Sequence, residues 1–212
     1  MAPPVFMDVD NTLLDNDAAK AELVARIAAT VDPAAARRFW ELYEDVRRDE
    51  DYVDFPSTVE RLRAASPDAA DRIARILDEL PFADFVYPGV LEMIERLWAA
   101  SFTPAILSDG DRVFQPRKVE RAGLTAAVRG NVLVFVHKER RLAEVTRRFA
   151  GRPTFVDDKA PILGRIERQL PGALTVHVRQ GSYAGQPVDP GDPPPDLELD
   201  RIADLDRLLA RG

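Results

Sequence analysis

The chain has 212 residues, 46% of them hydrophobic and 31% charged. That supports one large α/β domain, or a core with a small insert, and is short for two unrelated full domains. Asp and Glu outnumber Lys and Arg by 36 to 29, a formal net charge of −7, so neither nucleic acid nor an anionic membrane is an expected partner, since both recruit clustered cations. Cysteine is absent, which excludes disulfides, thiolate metal sites and cysteine nucleophiles.

The opening stretch MAPPVFMDVDNTLLDND has no basic segment followed by a long apolar run, and nowhere does an uncharged apolar run approach the ~20 residues that span a bilayer. A soluble, cytoplasmic protein is expected. Residues 5–9 form a short apolar run that ends in acidic and hydroxyl side chains, the pattern of a buried parallel strand delivering polar groups at its C-terminal edge. Residues 15–81 then read as helical throughout. Phe39, Leu42, Tyr43 and Val46 make one stripe at helical spacing, and Ala69, Ile73, Ile76, Leu77 and Leu80 make another. This predicts a helical cap over 15–81, inserted after the first strand into a core formed by 1–14 and 82–212, with hinges near 14–17 and 81–88. The cap aromatics, Trp40 included, are expected in the cap's own core. Arg47 and Arg48 are candidates to meet an anionic substrate, but Asp45, Asp49, Glu50 and Asp51 beside them mark a solvated charged face.

Four more short apolar runs, at 103–107, 132–136, 154–156 and 174–178, complete five predicted strands. Between them, Val90, Ile94, Leu97 and Trp98 share a helix face, and 113–123 ends on Gly123 as a helix C-cap. The alternation implies a doubly wound parallel sheet with right-handed crossovers. Residues 185–195, rich in Pro, Gly and Asp, read as a surface loop, followed over 197–209 by a short extended piece and a closing helix.

Asp8, Asp10 and Thr12 stand at alternate positions just past the first strand, where open α/β sheets place their ligand crevice. Carboxylates this close repel unless a cation, proton or donor compensates them, and Mg²⁺ is the natural candidate. Asp157-Asp158 follows the strand at 154–156. If that strand neighbours the first, four carboxyl groups converge with no Cys or His ligand, a set that favours Mg²⁺ over zinc. Ser108 closes the second strand and offers a hydroxyl and a backbone N–H to an anion. Lys138, after the third, would supply the fixed positive charge that a phosphoryl group needs. Lys118 is a rival for that role, although a helix surface is its natural home. Asp109 and Asp111 flank Gly110, where turn formation competes with a place beside the anion. His137 and His177 read as hydrogen-bonded structural histidines.

The sequence resembles the haloacid dehalogenase superfamily. Asp8-Val9-Asp10-Asn11-Thr12 matches its DxDxT motif, Ser108 the second motif, Lys138 the third and Asp157-Asp158 the acidic fourth, in the family's order. The resemblance implies a Rossmannoid core with a helical cap and a Mg²⁺-dependent phosphatase acting on a small phosphorylated metabolite. Asp8 would form an aspartyl-phosphate, while Asp10 would protonate the leaving oxygen and later activate water. Thr12, Ser108, Asp109 and Lys138 would surround the phosphate. The Asp8 side chain, the Asp10 backbone carbonyl and Asp158 would hold the metal, with Asp157 behind them or as an alternative ligand. The chain departs from the pattern after Asp158, reading Lys159-Ala160-Pro161-Ile162 where many members carry a further acid. A receiver domain places its acceptor aspartate on an internal strand, and a true dehalogenase usually lacks an acid at the position of Asp10. Phosphoryl transfer to an acceptor other than water, or a non-catalytic binding role on the same fold, are the alternatives. No motif identifies the substrate or the oligomeric state.

Overall fold

The computed structural model describes residues 2–50 and 52–210. Its sheet has six strands, β1 (Pro4–Met7), β2 (Thr103–Asp109), β3 (Val132–Phe135), β4 (Thr154–Asp157), β5 (Leu174–Val178) and β6 (Leu197–Leu199), in the order β3-β2-β1-β4-β5-β6. Every pairing is parallel. The sheet therefore has one strand beyond the five expected, formed by the extended piece at its edge.

The first four of the five α-helices between β1 and β2 are α1 (Asn16–Thr30), α2 (Pro33–Glu50), α3 (Phe55–Arg63) and α4 (Pro67–Glu79). The remaining helices, α5 (Val90–Ala99), α6 (Phe114–Arg121), α7 (Leu124–Ala127), α8 (Leu142–Arg147), α9 (Ala160–Gln169) and α10 (Leu205–Leu209), accompany the later strands. Helices on both faces explain why the central strands are apolar without interruption. Successive side chains alternate between faces. Val5 and Met7 join the larger core with Met93, Ile94 and Leu97 of α5, whereas Phe6 joins the smaller one with Leu163 and Ile166 of α9. Phe6 also stacks on Phe155, ring centroids 5.1 Å apart.

The connections into and out of the four-helix segment run side by side. The Asp15 N–H donates to the Phe85 carbonyl at 2.8 Å, and the Tyr87 N–H to the Leu13 carbonyl at 3.0 Å. Asp15 also caps α1, accepting from the Ala18 N–H at 2.9 Å. Among the described residues no helix is long and apolar enough to cross a membrane.

Candidate active site

The strand order changes direction between β1 and β4, and ligands of open α/β sheets bind outside the C-terminal ends of strands at such a switch point. Met7 pairs with Val156, so Asp8 emerges beside Asp157 and Asp158. Oxygens of these three buried carboxylates lie within 4.8 Å of one another. The Lys138 ammonium sits among them, 2.5 Å from Asp8 Oδ1 and 2.7 Å from Asp157 Oδ2, and donates to the Leu107 carbonyl at 3.3 Å. Its backbone N–H donates to Asp109 Oδ1 at 2.7 Å, which fixes the loop after β3.

The electrostatics follow from this crowding. Burial, opposed by Lys138 and reinforced by Asp157, pushes the Asp8 carboxyl up to about 7. Burial, then Asp157 and Asp8, pushes Asp158 up to about 9. Burial disfavours the charge on Lys138, but Asp157 and Asp8 outweigh it and hold the ammonium well above the usual lysine range. Both Asp158 carboxylate oxygens are buried without a hydrogen-bond partner, while its backbone carbonyl lies 3.1 Å from His177 Nε2. A buried acid left unsatisfied beside two others is compensated by holding a proton or by a bound cation. Carboxylate oxygens without Cys or His are the donor set of a hard divalent ion.

Three of the four expected carboxylates converge; the Asp10 side chain turns elsewhere. It accepts from the Lys118 ammonium, which also donates to Asn16 Oδ1 at 2.7 Å, and from Gln115 Nε2 at 3.3 Å. Gln115 Nε2 donates in addition to Ser108 Oγ at 2.9 Å. Lys118 is thus not a surface lysine: its side chain is only 4% exposed. Gln115, Lys118 and Val119 share the buried face of α6, and i, i+3, i+4 spacing with polar residues on an apolar stripe is the sequence signal for that face. Gln115 belongs to no motif, so its place beside Asp10 and Ser108 emerges only from the fold. Gly110 makes room for it, since a Cβ there would lie 2.8 Å from Gln115 Cβ.

The other candidates fall around this centre. Thr12 is fully buried, its Oγ1 without a partner. Asn11 adopts φ 58°, a region Asn tolerates, and its Oδ1 accepts from the backbone N–H groups of Asn16 and Asp17 at 3.0 and 3.2 Å. Asp111 accepts from the N–H groups of Val113 and Phe114 at 2.8 and 2.6 Å, capping the turn into α6.

A cavity of about 410 Å³ lies between this edge and the four helices, reaching Asp10, Asp109 and Lys159 on one side and Tyr43, Arg47 and Phe55 on the other. Trp40 and Phe55 pack half-buried against the apolar cluster and Tyr43 is buried, as expected of core aromatics, while Tyr43 and Phe55 also line the cavity. Phe55 meets Phe114 of α6 with centroids 4.8 Å apart, because the end of a helical stripe can face both a core and a cleft. Arg47 lines the cavity, 3.4 Å from Glu44, while Arg48 pairs with Asp45 outside it. Asp51 lies outside the described residues.

The fold is an α/β parallel sheet that gathers three buried carboxylates at the ends of two neighbouring strands. The haloacid dehalogenase-like hydrolase family model matches residues 5–173, and the chain belongs to that family. A haloacid dehalogenase-like hydrolase from Burkholderia xenovorans LB400 is 38% identical, with a TM-score of 0.89 over 100% of this chain and 98% of that one. L-2-haloacid dehalogenase from Xanthobacter autotrophicus is 20% identical, with a TM-score of 0.63 over 100% and 99% of the two chains. The magnesium-bound HAD-hydrolase YfnB from Bacillus subtilis is 16% identical, with a TM-score of 0.65 over 98% of each. The last two likenesses concern the fold alone. No protein of curated function matches the chain.

Proposed function

We propose that the protein is a Mg²⁺-dependent phosphohydrolase that acts on a small phosphorylated metabolite through an aspartyl-phosphate on Asp8. The observation that carries this reading is Asp10, a second acid held by Lys118 and Gln115 where it lines the cavity. A halide leaves carbon without a proton, whereas the alkoxide leaving a phosphate ester requires one. A presented second acid therefore favours ester hydrolysis over dehalogenation.

Asp8, Asp158 and the Asp10 carbonyl would hold Mg²⁺, which when bound would neutralise charge between the nucleophile and the phosphoryl group. The unpartnered Asp158 carboxylate supports that assignment, and Asp157, engaged by Lys138, stands behind it. The Asp8 carboxylate attacks phosphorus, the bond to the ester oxygen breaks, and that oxygen takes the proton of Asp10. Asp10 then removes a proton from water, whose oxygen attacks phosphorus and releases inorganic phosphate and free Asp8. Lys138 keeps positive charge beside the reacting oxygens, and the hydroxyls of Ser108 and Thr12 donate to the phosphoryl group. Asp109 serves the phosphate site indirectly, by fixing the Lys138 backbone. Residues 15–81 act as a cap over the core of 1–14 and 82–212, and the paired connections at 13–15 and 85–87 are where it hinges.

The test is a panel of phosphorylated metabolites assayed for inorganic phosphate with and without Mg²⁺, beside 2-haloacids assayed for halide. Mg²⁺-dependent phosphate release is expected. Halide release alone would replace this reading with dehalogenation.

A further inference from the structure

Lys138 is consumed by Asp8 and Asp157, and Lys118 by Asp10 and Asn16. Lys159 is different. It follows Asp158 directly, is half-buried and lines the cavity, yet no carboxylate among the described residues lies within ion-pair distance of its ammonium. Its ammonium lies over the Tyr183 ring, with Nζ 4.9 Å from the centroid. Its backbone N–H donates to Asp157 Oδ1 at 2.9 Å, which keeps the residue beside the acidic centre.

The wall that carries Tyr183 is fixed to the nucleophile loop. The Ser182 N–H and hydroxyl donate to the Asp17 carboxylate at 2.8 and 3.1 Å. Gly181, at φ 69°, packs so closely on Asn11 that any Cβ there would overlap its side chain. Lys159 is thus held on the cavity wall between an anchored aromatic ring and the acidic centre, to which its backbone N–H is tied through Asp157.

Charge decides what such a lysine is for. Asp8, Asp157 and Asp158 with Lys138 and a bound dication form a neutral centre, with no net attraction for a phosphate dianion. Lys159 gives the loaded centre one net positive charge. We infer that Lys159 is a second cationic contact for the transferred phosphoryl anion, placed where Lys138, tied between two aspartates, cannot serve alone. The inference rests on the phosphohydrolase reading. The competing role is internal, neutralisation of the acidic centre before metal arrives.

Calorimetric titration separates the two. Inorganic phosphate is titrated into the Mg²⁺-saturated wild type, Lys159→Met and Lys159→Arg, and Mg²⁺ into the metal-free form of each. A phosphate contact predicts a loss of about tenfold or more in phosphate affinity for Lys159→Met, retention within about threefold for Lys159→Arg, and Mg²⁺ affinity in Lys159→Met that is unchanged or tighter. Unaltered phosphate affinity in Lys159→Met, or an equal loss in Lys159→Arg, overturns the inference. Should Lys159→Met fail to fold, acetylation of wild-type lysines mapped by mass spectrometry makes the same distinction: phosphate with Mg²⁺ protects Lys159, and labelling unaffected by phosphate overturns the inference. A wild type that binds no phosphate in Mg²⁺ fails the phosphohydrolase reading itself, whereas binding that ignores the substitution fails only the role of Lys159.

Discussion

The Lys118 ammonium donates to the Asp10 carboxylate, so a helix of the core holds the acid that follows the first strand. The same ammonium reaches Asn16, the first residue of α1, and therefore joins the acid, the core and the four-helix segment at one point. Lys118→Met should lower kcat by at least about tenfold with a smaller change in KM, since the acid loses its orientation and substrate contacts do not. Lys118→Arg should recover part of the loss. Steady-state kinetics checks this, and an unchanged kcat in Lys118→Met would mean that Asp10 needs no such support.

Asp8→Asn should reduce turnover by at least ~10³-fold with an unaltered circular dichroism spectrum, because one substitution removes the nucleophile and a metal ligand. Near wild-type turnover in a sequence-verified variant would end the covalent mechanism.

Asp157 and Asp158 are adjacent but opposite in their needs. Asp157 accepts from Lys138 and from the Lys159 N–H at 2.9 Å, whereas the Asp158 carboxylate has no partner. Asp158→Ala should raise the melting temperature of the metal-free protein by removing an unsatisfied buried acid, and should abolish the stabilisation produced by Mg²⁺. Asp157→Ala should lower the metal-free melting temperature, because it strips a partner from a buried lysine. Thermal melts with and without Mg²⁺ decide, and the reverse pattern would exchange the two roles.

The raised carboxyls should also make stability depend on pH. Asp8 and Asp158 hold protons up to about 7 and about 9 in the metal-free fold but release them near 3.8 when unfolded. Between those limits the folded state binds more protons, so metal-free stability should fall as pH rises, from Asp8 between pH 3.8 and 7 and from Asp158 up to 9. Each such proton contributes a slope of about 1.4 kcal/mol per pH unit. Denaturant melts at about pH 6 and about pH 8.5 should show lower stability at the higher pH, and Mg²⁺ should reverse most of the difference. Equal stability at both pH values would mean the acids are not buried as described.

The sheet was readable because its strands are short apolar runs ending in acids or hydroxyls. β6 was legible only as an extended piece, since three residues carry no periodicity. The acidic centre was readable in kind but not in detail. Neighbours on extended chain point to opposite sides, so the sequence around Asp157 and Asp158 could not say which side chain meets Lys138. Lys118 looked solvated because most helical lysines are, and its contact with Asp10 spans 108 residues of chain that only the docking of α6 against the β1 loop brings together. Tyr43 shows the same limit, since helical spacing reports burial and not whether the buried face borders a cavity.

Residues 15–81 should have to move for substrate to enter. Phe55, which begins α3, packs against Phe114, which begins α6, and Arg121 of the core donates to the Leu80 carbonyl at 2.7 Å. These contacts flank the cavity between the four helices and the sheet edge, while the paired connections near Leu14 and Val86 join the segment to the core. Entry of a substrate to Asp10 is expected to part these surfaces, and their closure to exclude water from the charged centre. Because the chain has no cysteine, Phe55→Cys combined with Phe114→Cys introduces a single pair of thiols. Oxidation of the double variant should lower turnover by at least about tenfold, and reduction should restore it to the level of the unoxidised double variant. Each single variant should be indifferent to oxidant. Thiol counting verifies the cross-link, and a fully cross-linked protein that turns over at the reduced rate would show that these helices need not move for substrate to enter.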